Sequence, residues 1–223
     1  KSLNHFNRKR AAILSANQKP GYSEGEALTF LDQKADVVKL ATVYDGQSRE
    51  FRSASGEIAL TFMLAVLFIY LVLAAQFESF VSPFIILLTV PLAAAGALAT
   101  LLWTGQTFNV YSQIGLVMLV GLITKHGILI VEFANQLADS GKSALEAVTE
   151  SAVLRLRPIL MTTAAMLIGA LPLALAIGAG AESRQPIGWV IVGGLAFGTL
   201  LTLFVIPSAW LLFRHGFARL TKS

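Results

Sequence analysis

The chain has no cysteine, few charges and none of the common catalytic motifs. Each absence removes a class of function. Without cysteine, neither a disulfide framework nor a thiolate metal site can form. Charged residues make up 13% of the 223 residues, against about 25% in a typical soluble domain. No basic stripe with interleaved aromatics accompanies the net charge of +4, so nucleic acid is not an implied partner. HExxH and GxSxG are missing. Gly141-Lys142-Ser143 imitates the end of a phosphate loop, but Gln136 stands where that pattern needs glycine. Met63, Met118, Met161 and Met166 are too scattered for a soft-metal relay and read as packing. No cofactor and no enzyme activity is expected.

What the chain does have is apolar length. Hydrophobic residues are 55% of it, and mean hydropathy is +0.69. Five runs, at residues 57–76, 81–103, 110–137, 158–180 and 186–213, can each cross the ~30 Å hydrocarbon core of a bilayer. The expected fold is therefore a membrane all-α bundle of five transmembrane helices over 57–213, with a tail at 214–223. Ser143 and Glu146 form a capping box that opens a separate helix. Pro158 should interrupt it, leaving it along the membrane surface. Glycines in the runs ending at 137 and 213 fit close helix packing, or simply the abundance of glycine in membrane helices.

Residues 1–56 read as a small α/β piece. Ala11–Ala16 is a strand candidate, Pro20-Gly21 a turn, and Ser23 with Glu26 a capping box. Ala27, Leu28, Leu31, Ala35 and Val38 form a helical stripe, and a second strand is expected to begin within Val37–Tyr44. Such a piece is too small to bury a core of its own. It opens at Lys1 without an initiator methionine or signal peptide, which reads as part of a longer polypeptide. Orientation follows from basic residues near the spans. Lys142, Arg155, Arg157, Arg214, Arg219 and Lys222 fall on one side and, among short loops, only Arg184 on the other; the basic residues of 1–56 belong to a long domain, which the rule does not count. The first side is expected to be cytoplasmic, with 1–56 outside, in a periplasm where there are two membranes.

Lys125 lies near the middle of an apolar run. A lysine at mid-membrane costs about 2.5–3.5 kcal/mol on insertion scales, so it usually faces the bundle interior, pairs with an acid and marks an ion or proton path. Among the acids only Glu132 lies well inside a span, and seven residues of helix separate the two by about 10 Å. The partner of Lys125 is therefore expected on a helix outside this chain. Arg155 and Thr162 share a helix face if the helix continues through Pro158. Thr162 is a proton-passing hydroxyl or a group bonding the carbonyl one turn back. Thr163, about 100° around the helix, should matter less. Arg155 is an interfacial anchor or the mouth of a proton route, and Arg157 an anchor. His126 points away from Lys125 and reads as a packed or helix-bonding residue.

Four blocks carry a resemblance. They are Leu73-Ala-Ala-Gln-Phe-Glu-Ser79, Val90-Pro-Leu92, Gly121-Leu-Ile-Thr-Lys-His-Gly-Ile-Leu-Ile-Val-Glu-Phe-Ala134 and Arg155-Leu-Arg-Pro-Ile-Leu-Met-Thr162. Together they resemble the resistance-nodulation-division (RND) permeases, best their hydrophobe/amphiphile multidrug efflux branch, in a carboxy-terminal fragment. Residues 1–56, with Asn7-Arg8-Lys-Arg10 and Pro20-Gly21, resemble the end of that family's periplasmic porter domain. The resemblance implies a multi-pass inner-membrane, proton-driven antiporter exporting small hydrophobic or amphiphilic compounds. It implies a homotrimer working with a periplasmic adaptor protein and an outer-membrane channel. Lys125, Thr162 and Arg155 would form its proton relay, completed by an aspartate pair on the N-terminal half of the same permease. His126 replaces an asparagine common after that lysine in relatives. Alternatives are a non-transporting assembly or scaffold fragment, or an exporter of metal ions or lipids on the same scaffold.

Overall fold

The computed structural model describes residues 5–6, 8–16, 24–39 and 41–220. Lys1, Asn7, Pro20, Gly21, Ser23, Lys222 and Ser223, all used in the sequence reading, lie outside the described residues. The chain forms two compact units, residues 1–44 and 45–223.

In the first unit, β1 (His5–Phe6) and β2 (Lys9–Arg10) pair antiparallel, His5 opposite Arg10. One helix, α1, spans Glu24–Val38. Leu28 is its buried residue, and the Tyr44 hydroxyl donates to Asp32 Oδ1 at 2.6 Å. Of the expected α/β piece, neither of the two expected strands forms among the described residues. Residues 11–16 have no regular structure, and Val37 and Val38 end α1 instead of opening a strand. A strand needs a neighbour to take its backbone N–H and C=O groups. Among the described residues this segment has none, and Ile13 and Leu14 remain exposed.

The second unit is all helix. It comprises α2 (Gln47–Phe77), α3 (Val81–Leu87), α4 (Thr89–Trp103), α5 (Val110–Asp139), α6 (Ala144–Ala174) and α7 (Ala181–Leu220). Five stretches among the described residues are long and apolar enough to cross a membrane: Leu60–Phe77, Val81–Trp103, Val110–Asp139, Ala144–Ala174 and Ala181–Arg214. The second is broken at Leu88, between α3 and α4. Pro91 explains the break: it has no N–H for the Leu87 carbonyl four residues back, and its ring crowds that carbonyl.

Pro158, by contrast, does not end a helix. It lies inside α6, which runs unbroken to Ala174. The segment expected along the membrane surface instead docks on α5. Ala147 and Val148 are buried with Ile130, Val131 and Ala134, and the Ser151 hydroxyl donates to the Ile130 carbonyl at 2.7 Å. Tertiary packing on both sides of the proline outweighs one lost backbone bond, and the Pro158 ring sits on the exposed face.

The core has two apolar clusters. One gathers Leu73, Ile85, Ile86, Ile130, Ile159, Ile206 and Trp210 among others. The second includes Val90, Ala97, Leu119, Ile123, Val190 and Leu195. Lipid is as apolar as leucine, so close approach and hydrogen bonds must hold these helices together. Glycines supply the approach. A Cβ at Gly193 would lie 2.0 Å from Thr100 Oγ1, one at Gly194 2.2 Å from Leu119 Cδ2, and one at Gly188 2.2 Å from the Ala174 nitrogen.

Candidate functional site

The site is built on α5. Asn109 caps its first turn: Asn109 Oδ1 accepts from the Ser112 N–H and Ser112 Oγ from the Asn109 N–H, both at 2.9 Å. This start fixes a helix of 30 residues, about 45 Å at 1.5 Å per residue. Ile114, Met118, Gly121 and Lys125 follow one another at steps of four and three residues and are all exposed. Half-buried Ile128 and Glu132 continue the stripe. Lys125 is thus on the open side of α5. A Cβ added at Gly121, one turn earlier, would meet nothing within 4 Å. Among the described residues Lys125 has no acidic partner within salt-bridge distance.

Arg155 and Thr162 stand on α6. Because the helix is continuous through Pro158, seven residues place them two turns apart on one face. The Arg155 guanidinium lies 4.6 Å from the ring centroid of Phe133 on α5, in the range of a cation–π contact. Its Nε is buried without a hydrogen-bond partner among the described residues. Thr162 is half-buried and donates back to the Pro158 and Ile159 carbonyls at 3.0 and 3.1 Å. No two of Lys125, Arg155 and Thr162 share a hydrogen bond or an ion pair.

The polar contacts between helices involve other residues. His126 is fully buried. Its Nε2 lies 3.2 Å from Thr163 Oγ1 on α6 and its Nδ1 3.3 Å from Thr199 Oγ1 on α7. Thr163, given the lesser part by the sequence reading, makes this bond between helices. Thr202, one turn beyond Thr199, is also fully buried. A second junction joins α7 to α5 and α3: Trp210 Nε1 donates to Asn135 Oδ1 at 2.9 Å, and Asn135 Nδ2 to Ser82 Oγ at 3.5 Å. A third ties two loops, with Gln106 Nε2 donating to Gln185 Oε1 at 3.1 Å and Gln185 Nε2 to the Ala176 carbonyl at 2.8 Å. Sequence reasoning passed over Thr199 and Thr202. The signal was their place beside Gly194 and Gly198 on the small-residue side of α7.

No group of three His, Asp or Glu residues that could hold a metal ion occurs among the described residues. Five stretches long and apolar enough to cross a membrane, several of them packed through glycines, fit a multi-pass membrane protein. The chain belongs to the AcrB/AcrD/AcrF family of RND permeases, which it matches over residues 1–214. It is 49% identical over 216 residues to an uncharacterized transporter of Haemophilus influenzae Rd, an alignment covering 92% of this chain and 21% of the relative. The chain therefore spans about a fifth of that relative's length. It is a multi-pass membrane protein of a transporter family.

Proposed function

We propose that this chain is the carboxy-terminal part of a proton-driven inner-membrane permease that exports hydrophobic or amphiphilic compounds. The observation that carries the reading is Lys125: a charged side chain in an apolar span, on the open side of its helix, with no acidic partner among the described residues. An ammonium within an apolar membrane span is costly without a counter-charge. Carboxylates of the N-terminal half of the same permease would supply it. Protonating them would release Lys125 and let α5 shift between two packings, which moves the distant porter domain. Arg155 and Thr162, on one face of α6, would extend the relay toward the cytoplasm. In this reading residues 1–56 are periplasmic, 214–223 are cytoplasmic, and the permease is a homotrimer joined to a periplasmic adaptor and an outer-membrane channel.

The test is Lys125→Ala in the full-length protein, in cells lacking other pumps. Efflux should fall on the order of a hundredfold or more, because the partner acids would lose the cation that sets their proton affinity. Trimer yield should hold, since insertion becomes easier. Lys125→Arg should also fail, because a planar guanidinium does not replace a compact ammonium. Wild-type efflux from a well-expressed Lys125→Ala trimer would remove the proposal. Orientation is tested separately by Ser48→Cys and Ser223→Cys. An impermeant thiol reagent applied to intact spheroplasts should label only the Ser48→Cys protein.

A further inference from the structure

His126 adjoins Lys125 in sequence, yet the relay proposed above does not use it. Its ring joins three helices at one point, α5 to α6 through Thr163 and α5 to α7 through Thr199. The junction falls between the two apolar clusters, beyond Ile123 of one and before Ile130 of the other. No water is available in such a layer to satisfy a polar group that loses its partner.

Counting hydrogens assigns the tautomer. Thr163 Oγ1 donates its one hydrogen to the Ile159 carbonyl at 2.8 Å, the shortest of its contacts. Toward the ring it can then only accept, so Nε2 carries the proton. Nδ1 is left as an acceptor; Thr199 Oγ1 has one hydrogen and two acceptors in reach, Nδ1 at 3.3 Å and Thr163 Oγ1 at 3.4 Å, and donates to the nearer, Nδ1. The opposite tautomer would set the Nε2 lone pair against an oxygen whose hydrogen is already committed.

We propose that His126 is the positioning residue for Lys125. Held in its Nε2–H form by Thr163 and Thr199, it fixes the rotation of α5 and makes α5, α6 and α7 move as one body. This rests on the reading of Lys125 as the moving cation. Neighbouring residues share one helix rotation, so turning α5 to re-aim Lys125 swings the His126 ring through the same angle. A turn of about 20° moves a group about 5 Å from the axis by about 1.7 Å. A shift of that size away from either partner carries its contact of 3.2 or 3.3 Å beyond hydrogen-bond range. Breaking both contacts leaves the two ring nitrogens unsatisfied in an apolar core, while Thr163 keeps its bond to the Ile159 carbonyl and Thr199 Oγ1 stays 3.4 Å from Thr163 Oγ1. The less costly path is for α6 and α7 to follow. The glycine contacts favour it too: Gly194 admits Leu119 of α5, and Gly198 admits Ile123 of α5.

The experiment places a nitroxide spin label at position 125, through Lys125→Cys, in full-length permease without other cysteines, reconstituted in lipid vesicles. With His126 present, the spectrum should show one ordered component. His126→Leu and the double variant Thr163→Val with Thr199→Val should each add a second, mobile component, and His126→Gln, whose amide still donates to Thr163, should largely restore the first. Valine keeps the shape of threonine, so the double variant reports even where His126→Leu does not fold. In the same variants with Lys125 intact, turnover should fall about tenfold, equivalent to about 1.4 kcal/mol. The substrate KM should stay within about twofold, the pattern of an interaction lost in the transport step and not in binding. An unchanged single-component spectrum in His126→Leu, or in the double variant, overturns the proposal. Wild-type transport by Lys125→Ala would instead overturn the reading of Lys125 as the switch, and the spin-label result would stand apart from it.

Discussion

One side of α5 carries Leu119, Ile123, His126, Ile130 and Ala134, all buried; the other carries Ile114, Met118, Gly121, Lys125 and Gln136, all exposed. The sides differ in how polar groups are treated. On the buried side each nitrogen of His126 has a hydroxyl partner. On the open side a charged residue has no acidic partner among the described residues. The contrast extends to whole helices. About half of the span windows in α3–α4, α5 and α7 is buried, against 11% in α2 and α6. The buried group is pulled together by small residues. The outer helices present Met63, Phe68, Met161 and Ile168 outward, which suits lipid or further helices and not water. A polar group on the buried side therefore holds the bundle together, and one on the open side is free to act with something outside it.

The largest effect should come from crowding the buried side. Gly193→Leu would push a side chain into Thr100, and overpacking at a fixed backbone costs about 3 kcal/mol or more. Little folded full-length protein should survive detergent extraction. Normal yield and melting would break the comparison, because the α4–α7 contact would then not be tight.

Trp210→Phe should come next. It removes the N–H that reaches Asn135 Oδ1 and leaves a half-buried acceptor without that bond, a loss of about 1 kcal/mol. The protein should fold and melt several degrees lower. An unchanged melting temperature would show that the junction carries no net stability.

Gly121→Ala should have the smallest effect on stability. Its Cβ meets nothing within 4 Å, and alanine is favoured over glycine in a helix by about 1 kcal/mol. Unfolding free energy should stay within about 1 kcal/mol of wild type. A stable Gly121→Ala protein with reduced transport would sharpen the comparison by locating a partner helix against this face.

That there are five membrane-length helices, one of them carrying Lys125, was legible in the sequence because it depends on composition along the chain. Twenty apolar residues announce a membrane helix wherever it packs. Tertiary decisions were not legible. Pro158 reads as a helix end, and only the docking of Ala147, Val148 and Ser151 on α5 shows why α6 runs through it. Residues 11–16 read as a strand by local pattern, but a strand is a property of a pair. His126 was placed on the side away from Lys125 by helix geometry alone. Its partners lie 37 and 73 residues further along the chain, beyond the reach of any local pattern. The glycines were ambiguous as residues and become distinct as contacts: Gly188, Gly193 and Gly194 are pressed against neighbours, whereas Gly121 is not.

The central claim is that Lys125, on the open side of α5, couples proton movement to transport. Substrate-driven proton flux in proteoliposomes holding the full-length permease tests it most directly. With Lys125→Ala trimers incorporated at wild-type density, addition of an exported amphiphile should drive no proton flux above that of empty vesicles. Flux at the wild-type rate through the same trimers would contradict the account.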